Sequence, residues 1–141
     1  MIPDAGAVLN VVLGEWADSQ PVPLALPNVP FTPPAGPYLA AHDLPARPVA
    51  IDLAQQCKVY SGIYQVNVSV PKGTGATTAK QLAALVAGLF PSGAGFPGDG
   101  VTVWVNNEPA ISPGLIAGAA YTIPISFRYR VDVSPPSYPA D

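Results

Sequence analysis

The stretch KVYSGIYQVNVSVP, residues 58–71, decides the fold. Tyr64, Val66, Val68 and Val70 share one parity, and Gln65, Asn67 and Ser69 share the other. A period of two describes a strand with one buried face and one wet face, as in an antiparallel sheet.

Moving outward toward the C-terminus, Lys72 to Ala76 is a glycine turn, and Thr77 or Thr78 is placed to cap a helix. Leu82, Leu85, Val86, Leu89 and Phe90 match the helical spacing i, i+3, i+4, i+7, i+8, and Pro91 stops the run. Ser92 to Gly100 reads as a loop. Val101, Val103 and Val105 then alternate with Thr102, Trp104 and Asn106 as a strand. A last strand is expected from about Ala119 to Asp132. There Tyr121, Ile123, Ile125, Phe127, Tyr129 and Val131 share one face, and Thr122, Ser126, Arg128 and Arg130 the other. Pro124 suggests an edge or a bulge.

Toward the N-terminus, Tyr38 to Asp52 reads as a strand broken by Pro45 and Pro48, hence an edge or a bend. Residues 20–37 are too rich in proline for helix or central strand. This extended segment carries Val22, Leu24, Leu26, Val29 and Phe31, so it is expected to lie on the domain or on a neighbour. A first helix is predicted from about Pro3 to Ala17, with Val8, Val12 and Trp16 at four-residue steps beside Leu9 and Leu13.

The order helix, strand, strand, helix, strand, strand gives an α+β fold. The expected form is a two-layer sandwich, a mainly antiparallel sheet of about four strands with two helices on one face. Residues 1–133 form one domain in this reading, and 134–141 a flexible tail.

Composition narrows the function. The chain has 141 residues, enough to hold a core unaided. Only 11% are charged, against a usual value of about 25%. A surface so poor in charge is weakly defended against self-association, which favours a subunit that buries much of its outside in partners. Net charge is −3. The six positive side chains, Arg47, Lys58, Lys72, Lys80, Arg128 and Arg130, form no basic stripe of the kind counterion release needs, so tight nucleic-acid binding is not expected. The single Cys57 forms no internal disulfide and no cysteine-based metal site, and fits synthesis in a reducing cytoplasm. No secretory signal is expected, because the first positive side chain is Arg47. The uncharged run from Pro109 to Phe127 is broken by three prolines and two glycines, so no continuous membrane helix is drawn there.

Catalytic motifs are sparse. Gly73-Thr74-Gly75-Ala76-Thr77-Thr78 follows a strand and opens a helix, where a dinucleotide fingerprint would sit, but Thr78 holds the third glycine position. A capped turn is the plainer reading. His42 is the only histidine, and Asp43 beside it points to the opposite strand face. Ser61 lies outside any Gly-x-Ser-x-Gly elbow. Arg128 and Arg130 project together from one strand face, as an anion-binding pair or as solvated side chains. Trp104 stands on an otherwise polar face, as an interface anchor or as part of a second small core.

Several segments carry a family resemblance: Pro27-Asn28-Val29-Pro30-Phe31-Thr32-Pro33-Pro34, Gly36-Pro37-Tyr38-Leu39, Tyr60-Ser61-Gly62-Ile63-Tyr64-Gln65-Val66, Val70-Pro71-Lys72-Gly73-Thr74-Gly75, Leu89-Phe90-Pro91 and Ile123-Pro124-Ile125-Ser126-Phe127-Arg128-Tyr129-Arg130. With the order of elements, they make residues 1–131 resemble the tail terminators of long-tailed phages. The resemblance implies a hexameric ring at the head-proximal end of the tail. That ring stops tube polymerisation, meets the head-completion proteins and lets the genome pass. It implies no catalytic residue, no cofactor and no membrane. The family holds its interface in no short motif. Phe31, Pro33, Pro34, Tyr38, Trp104, Arg128 and Arg130 are the candidate contact residues on this chain's own pattern. A tail-tube subunit or a neck adaptor is the alternative, and a small nucleotide-binding enzyme a remoter one.

Overall fold

The computed structural model describes residues 3–26, 29–32, 34–50, 57–73, 75–98 and 100–133. Its elements run α1 (Ala5–Ser19), β1 (Leu24–Ala25), β2 (Tyr38–Pro45), β3 (Val49–Ala50), β4 (Lys58–Pro71), α2 (Thr77–Gly88), β5 (Gly95–Gly98), β6 (Val101–Val105), β7 (Ala110–Ile111), β8 (Leu115–Ala117) and β9 (Ala120–Val133).

The spine is the pairing of β4 with β9. These 14-residue strands lie antiparallel in register from Lys58 opposite Val133 to Pro71 opposite Ala120. Each spans roughly 46 Å at about 3.3 Å per residue, and twist accumulates over that length. The shorter strands tile the two free edges of this ribbon. β2 and β3 share the outer edge of β4, and β8, β7 and β6 follow one another along β9. β5 extends the sheet beyond β6, and β1 extends it beyond β2.

The expected two-layer sandwich of about four antiparallel strands is therefore wrong. The described residues are mostly β, with nine strands in one mixed, strongly curled sheet and two helices. The sheet is mixed because β1 runs parallel to β2, with Leu24 opposite Leu39. Prolines explain two of the breaks. Pro45 closes β2 before β3, and Pro113 separates β7 from β8. Each proline cuts a strand without abolishing the pairing on either side of it.

Pro124 lies on neither an edge nor a bulge, since β9 is paired on both sides. Its carbonyl accepts from the Ser112 N–H at 2.9 Å, in the gap between β7 and β8. Backbone N–H and C=O of one strand residue point to the same side. The missing donor therefore faces that gap rather than the β4 ladder.

α1 opens two residues later than the predicted start. Asp4 is the N-cap, its side chain accepting from the Ala7 N–H at 3.0 Å. Val8, Leu9, Leu13 and Ala17 are buried, with Val12 and Trp16 packed partly against the core. α2 departs further from expectation. Ala76, not Thr77 or Thr78, takes the cap position, without a side-chain hydrogen bond. The buried stripe is Ala79, Ala83 and Val86, leading to Phe90, and Leu85 is 56% exposed. Two alanines bring this helix close to the sheet and turn the leucine outward. The predicted loop at Ser92–Gly100 contains β5.

Both helices and the inner face of the sheet share one core. At its centre Phe127 stacks on Phe90 at 4.8 Å and lies 5.7 Å from Tyr64. Predicted tail residues 134–141 lie outside the described residues.

Candidate functional site

The same alternation that buries one side of β4 and β9 leaves the other side exposed around Ile63, Arg128 and Arg130, while Ser69 farther along it is buried. On β9 the inward set is Ile123, Ile125, Phe127, Tyr129 and Val131, all buried, while Arg128 and Arg130 between them are exposed. On β6, Val103 and Val105 are buried, and Trp104 between them is 47% exposed. Register brings these outward side chains together. Trp104 lies opposite Arg130, and Arg128 lies opposite Ile63, which lies opposite Leu44.

This end of the face is built rather than frayed. A Cβ on Gly95 would lie 2.6 Å from Trp104 Cζ3, so the bare glycine seats the indole. The Arg128 N–H donates to Asn107 Oδ1 at 2.7 Å, and its carbonyl accepts from the Asn106 N–H at 2.8 Å. Arg130 Nε donates to Asp132 Oδ1 at 2.8 Å, an exposed pair that adds little stability. Arg128 has no carboxylate partner among the described residues.

The structure thus gathers Trp104, Arg128 and Arg130 into one patch. It adds two residues that sequence reasoning passed over, Ile63 at 38% exposure and Leu44 at 54%. Ile63 carried a usable signal, being apolar among the polar parity of Gln65, Asn67 and Ser69. A cleft of about 560 Å³ borders the patch, lined by Pro97, Gly98, Gly100, Val101, Thr102, Trp104 and Asp132.

The other candidates gather elsewhere. Tyr38 pairs with Ser69, six residues along β4 from Ile63 and so roughly 20 Å away. Phe31 packs on Tyr38 with ring centroids 5.4 Å apart, so it is half-buried within its own chain. Pro34 and Tyr38 line a smaller cleft with Val70, Pro71 and Ala120. Pro33 lies outside the described residues.

A third feature links distant parts of the chain. The Tyr129 hydroxyl donates to Asp43 Oδ1 at 2.7 Å across 86 residues of sequence. Glycine makes the space: a Cβ on Gly62 would lie 2.5 Å from the Tyr129 hydroxyl oxygen, and one on Gly6 2.5 Å from Asp43 Oδ2. Burial raises the Asp43 carboxyl above its ordinary value. The Tyr129 hydrogen bond opposes that rise, and the Asp4 charge adds to it. Tyr129 is pushed up by burial first and then by Asp43, and Tyr64 by burial and by the Asp43 charge. Tyr64 is also tied to Asn10 through its hydroxyl. Both phenols are thus held by hydrogen bonds within the fold, Tyr129 to Asp43 and Tyr64 to Asn10. His42 is exposed on the opposite face from Asp43, so the adjacent pair forms no dyad.

Gly73 and Gly75 take positive φ, 91° and 84°, as a tight turn demands. β4 before them is antiparallel to both of its main neighbours. The parallel strand–helix unit of a dinucleotide site is not formed there. Among the described residues there is no group of three His, Cys, Asp or Glu side chains that could hold a metal. None of the described helices is long and apolar enough to cross a membrane.

Comparison with known proteins gives a family. A family model described as phage tail terminator protein matches residues 6–129. A solved structure whose name describes no function is 35% identical, with 95% of this chain and 94% of that chain covered and a TM-score of 0.76. No curated protein matches.

Proposed function

As the chain belongs to the phage tail terminator protein family, a family of structural tail components, we propose that it caps the head-proximal end of the tail tube as a homo-oligomeric ring. In this reading the ring is a hexamer, stops tube polymerisation, and offers the surface on which a head-completion protein docks. The chain is made in the host cytoplasm and takes its place in the virion. The genome passes through without sequence-specific binding, in keeping with a net charge of −3 and only six cationic side chains.

The observation that carries the reading is the open sheet face. Two helices cover one side of the sheet, while the other presents Trp104, Arg128 and Arg130 beside Ile63 and Leu44. An exposed indole with arginine and aliphatic neighbours is the composition of an interface centre. Phe31, Pro33, Pro34 and Tyr38 are proposed as a second contact region, serving the tube or the head side.

Deletion of the gene in the phage tests the reading. Overlong tails without heads are expected. Absence of tails would instead indicate a tube subunit, and normal-length tails that fail to join heads a neck adaptor. Negative-stain images of the purified chain on tail tubes are expected to show one terminal ring.

A further inference from the structure

Helix α1 carries an exposed acidic stripe that no cation among the described residues pairs with. Asp4, Val11, Glu15 and Asp18 are all exposed. Their steps of seven, four and three residues set them along one side of the helix. Val11 is 60% exposed in the middle of this stripe. No lysine or arginine occurs before Arg47, so the stripe is acidic throughout. Among the described residues the one ion pair is Arg130 with Asp132, which leaves Glu15 and Asp18 unpaired.

The open sheet face has the opposite character. It sets Arg128 and Arg130 on an apolar ground of Ile63, Leu44 and Trp104, and although Asp132 pairs with Arg130 the patch keeps one net positive charge. Two arginines with apolar neighbours fit two acids that follow an exposed valine along the helix. From Asp4 to Asp18 the stripe is roughly 21 Å long at about 1.5 Å per residue, within the length of the β9 face.

We propose that the open face of β4, β6 and β9 docks the acidic outer stripe of α1 from a second copy of this chain. Arg128 and Arg130 face Glu15 and Asp18, and Val11 lies against Ile63 and Trp104. This rests on the ring reading and names the two surfaces that make the ring. They are different surfaces, so the contact is heterologous, and its repetition closes into a ring when the rotation allows. A two-fold contact centred on Arg128 would instead set guanidinium against guanidinium. Because the charges are exposed, the contact weakens as salt rises.

Charge reversal in the full-length chain tests the pairing. Arg128→Glu with Arg130→Glu, and separately Glu15→Lys with Asp18→Lys, are each expected to weaken self-association about tenfold or more at low salt. The chain carrying all four changes is expected to recover to within about threefold of wild type, because the charges are again opposite. Arg128→Lys with Arg130→Lys keeps the charges and should keep assembly. Sedimentation velocity in solution and ring counts on purified tail tubes read the outcome, and cooperative thermal melting checks that each variant folds. If wild type assembles and the fourfold variant fails to recover, the docking pair is overturned and the ring reading stands. If wild type assembles neither in solution nor on tubes, both fall. If the arginine reversals abolish binding to a DNA duplex and leave assembly intact, the face serves nucleic acid and the proposal is overturned.

Discussion

The two faces of β9 are written by the same fourteen residues and have opposite tolerances. Ile123, Ile125, Phe127, Tyr129 and Val131 lock one face into the aromatic and aliphatic core. Arg128 and Arg130, one position out of phase, lie outside that core, beside Ile63 and Trp104 on the exposed face, with Arg130 paired to Asp132. One face is thus committed to stability and the other is available to partners. Mutations on the two faces should separate folding from assembly.

The largest effect is expected at the inner face. Phe127→Ala removes the ring that stacks on Phe90 and tilts against Tyr64. Truncating a buried phenylalanine costs about 3–5 kcal/mol, a large part of a small domain's stability. Chemical denaturation should show that loss. A value under about 1 kcal/mol would mean that the face is not a tightly packed core and would dissolve the contrast.

The next effect lies where inner face meets rim, at Asp43 and Tyr129. A carboxyl whose folded value is raised holds its proton more tightly folded than unfolded. Its contribution to stability is present at low pH and is lost as pH climbs from the ordinary 3.8 through the raised value. Asp43→Asn removes that titration and leaves the Tyr129 hydroxyl an oxygen acceptor. The variant should gain on wild type above that window and lose its advantage below about pH 4, near the ordinary carboxyl value. Melting temperatures of both proteins across pH 3 to 7 check this; parallel curves would show that Asp43 titrates as a solvated acid.

The two faces also differed in how far the sequence revealed them. Residues 58–71 and 120–133 hold a period of two over a whole strand, so both could be read to within a residue or so, although Ser69, read on the wet face, is buried. β1, β3, β7 and β8 have two or three residues each. No period exists at that length, and their pairing is supplied by the long strands beside them. That is why about four strands were expected where nine form among the described residues. In α2 the leucines misled, because Ala79 and Ala83 win the buried side by being small. Trp104 was legible as an exception on a polar parity, and Arg128 and Arg130 as neighbours on one polar face. Their union with Leu44 was not, since it needs the β2–β4–β9 register. The Asp43–Tyr129 bond, 86 residues apart, left no local trace.

The smallest effect on stability, and the sharpest on the comparison, is expected at Ile63. Ile63→Thr keeps a β-branched side chain on an exposed strand position, so the strand preference is retained. The residue is 38% exposed and opposite Arg128 rather than inside the core. Its loss should change unfolding free energy by no more than about 0.5 kcal/mol, as for surface changes away from special features. The same substitution would be far more damaging at Val66, three residues on and buried, where the added hydroxyl would need a partner. Self-association measured beside the melt should nevertheless weaken for Ile63→Thr, because an interface centre depends on dry apolar contact around its charged pairs. Unchanged assembly with unchanged stability would mean that the apolar ground of the open face serves no contact between copies.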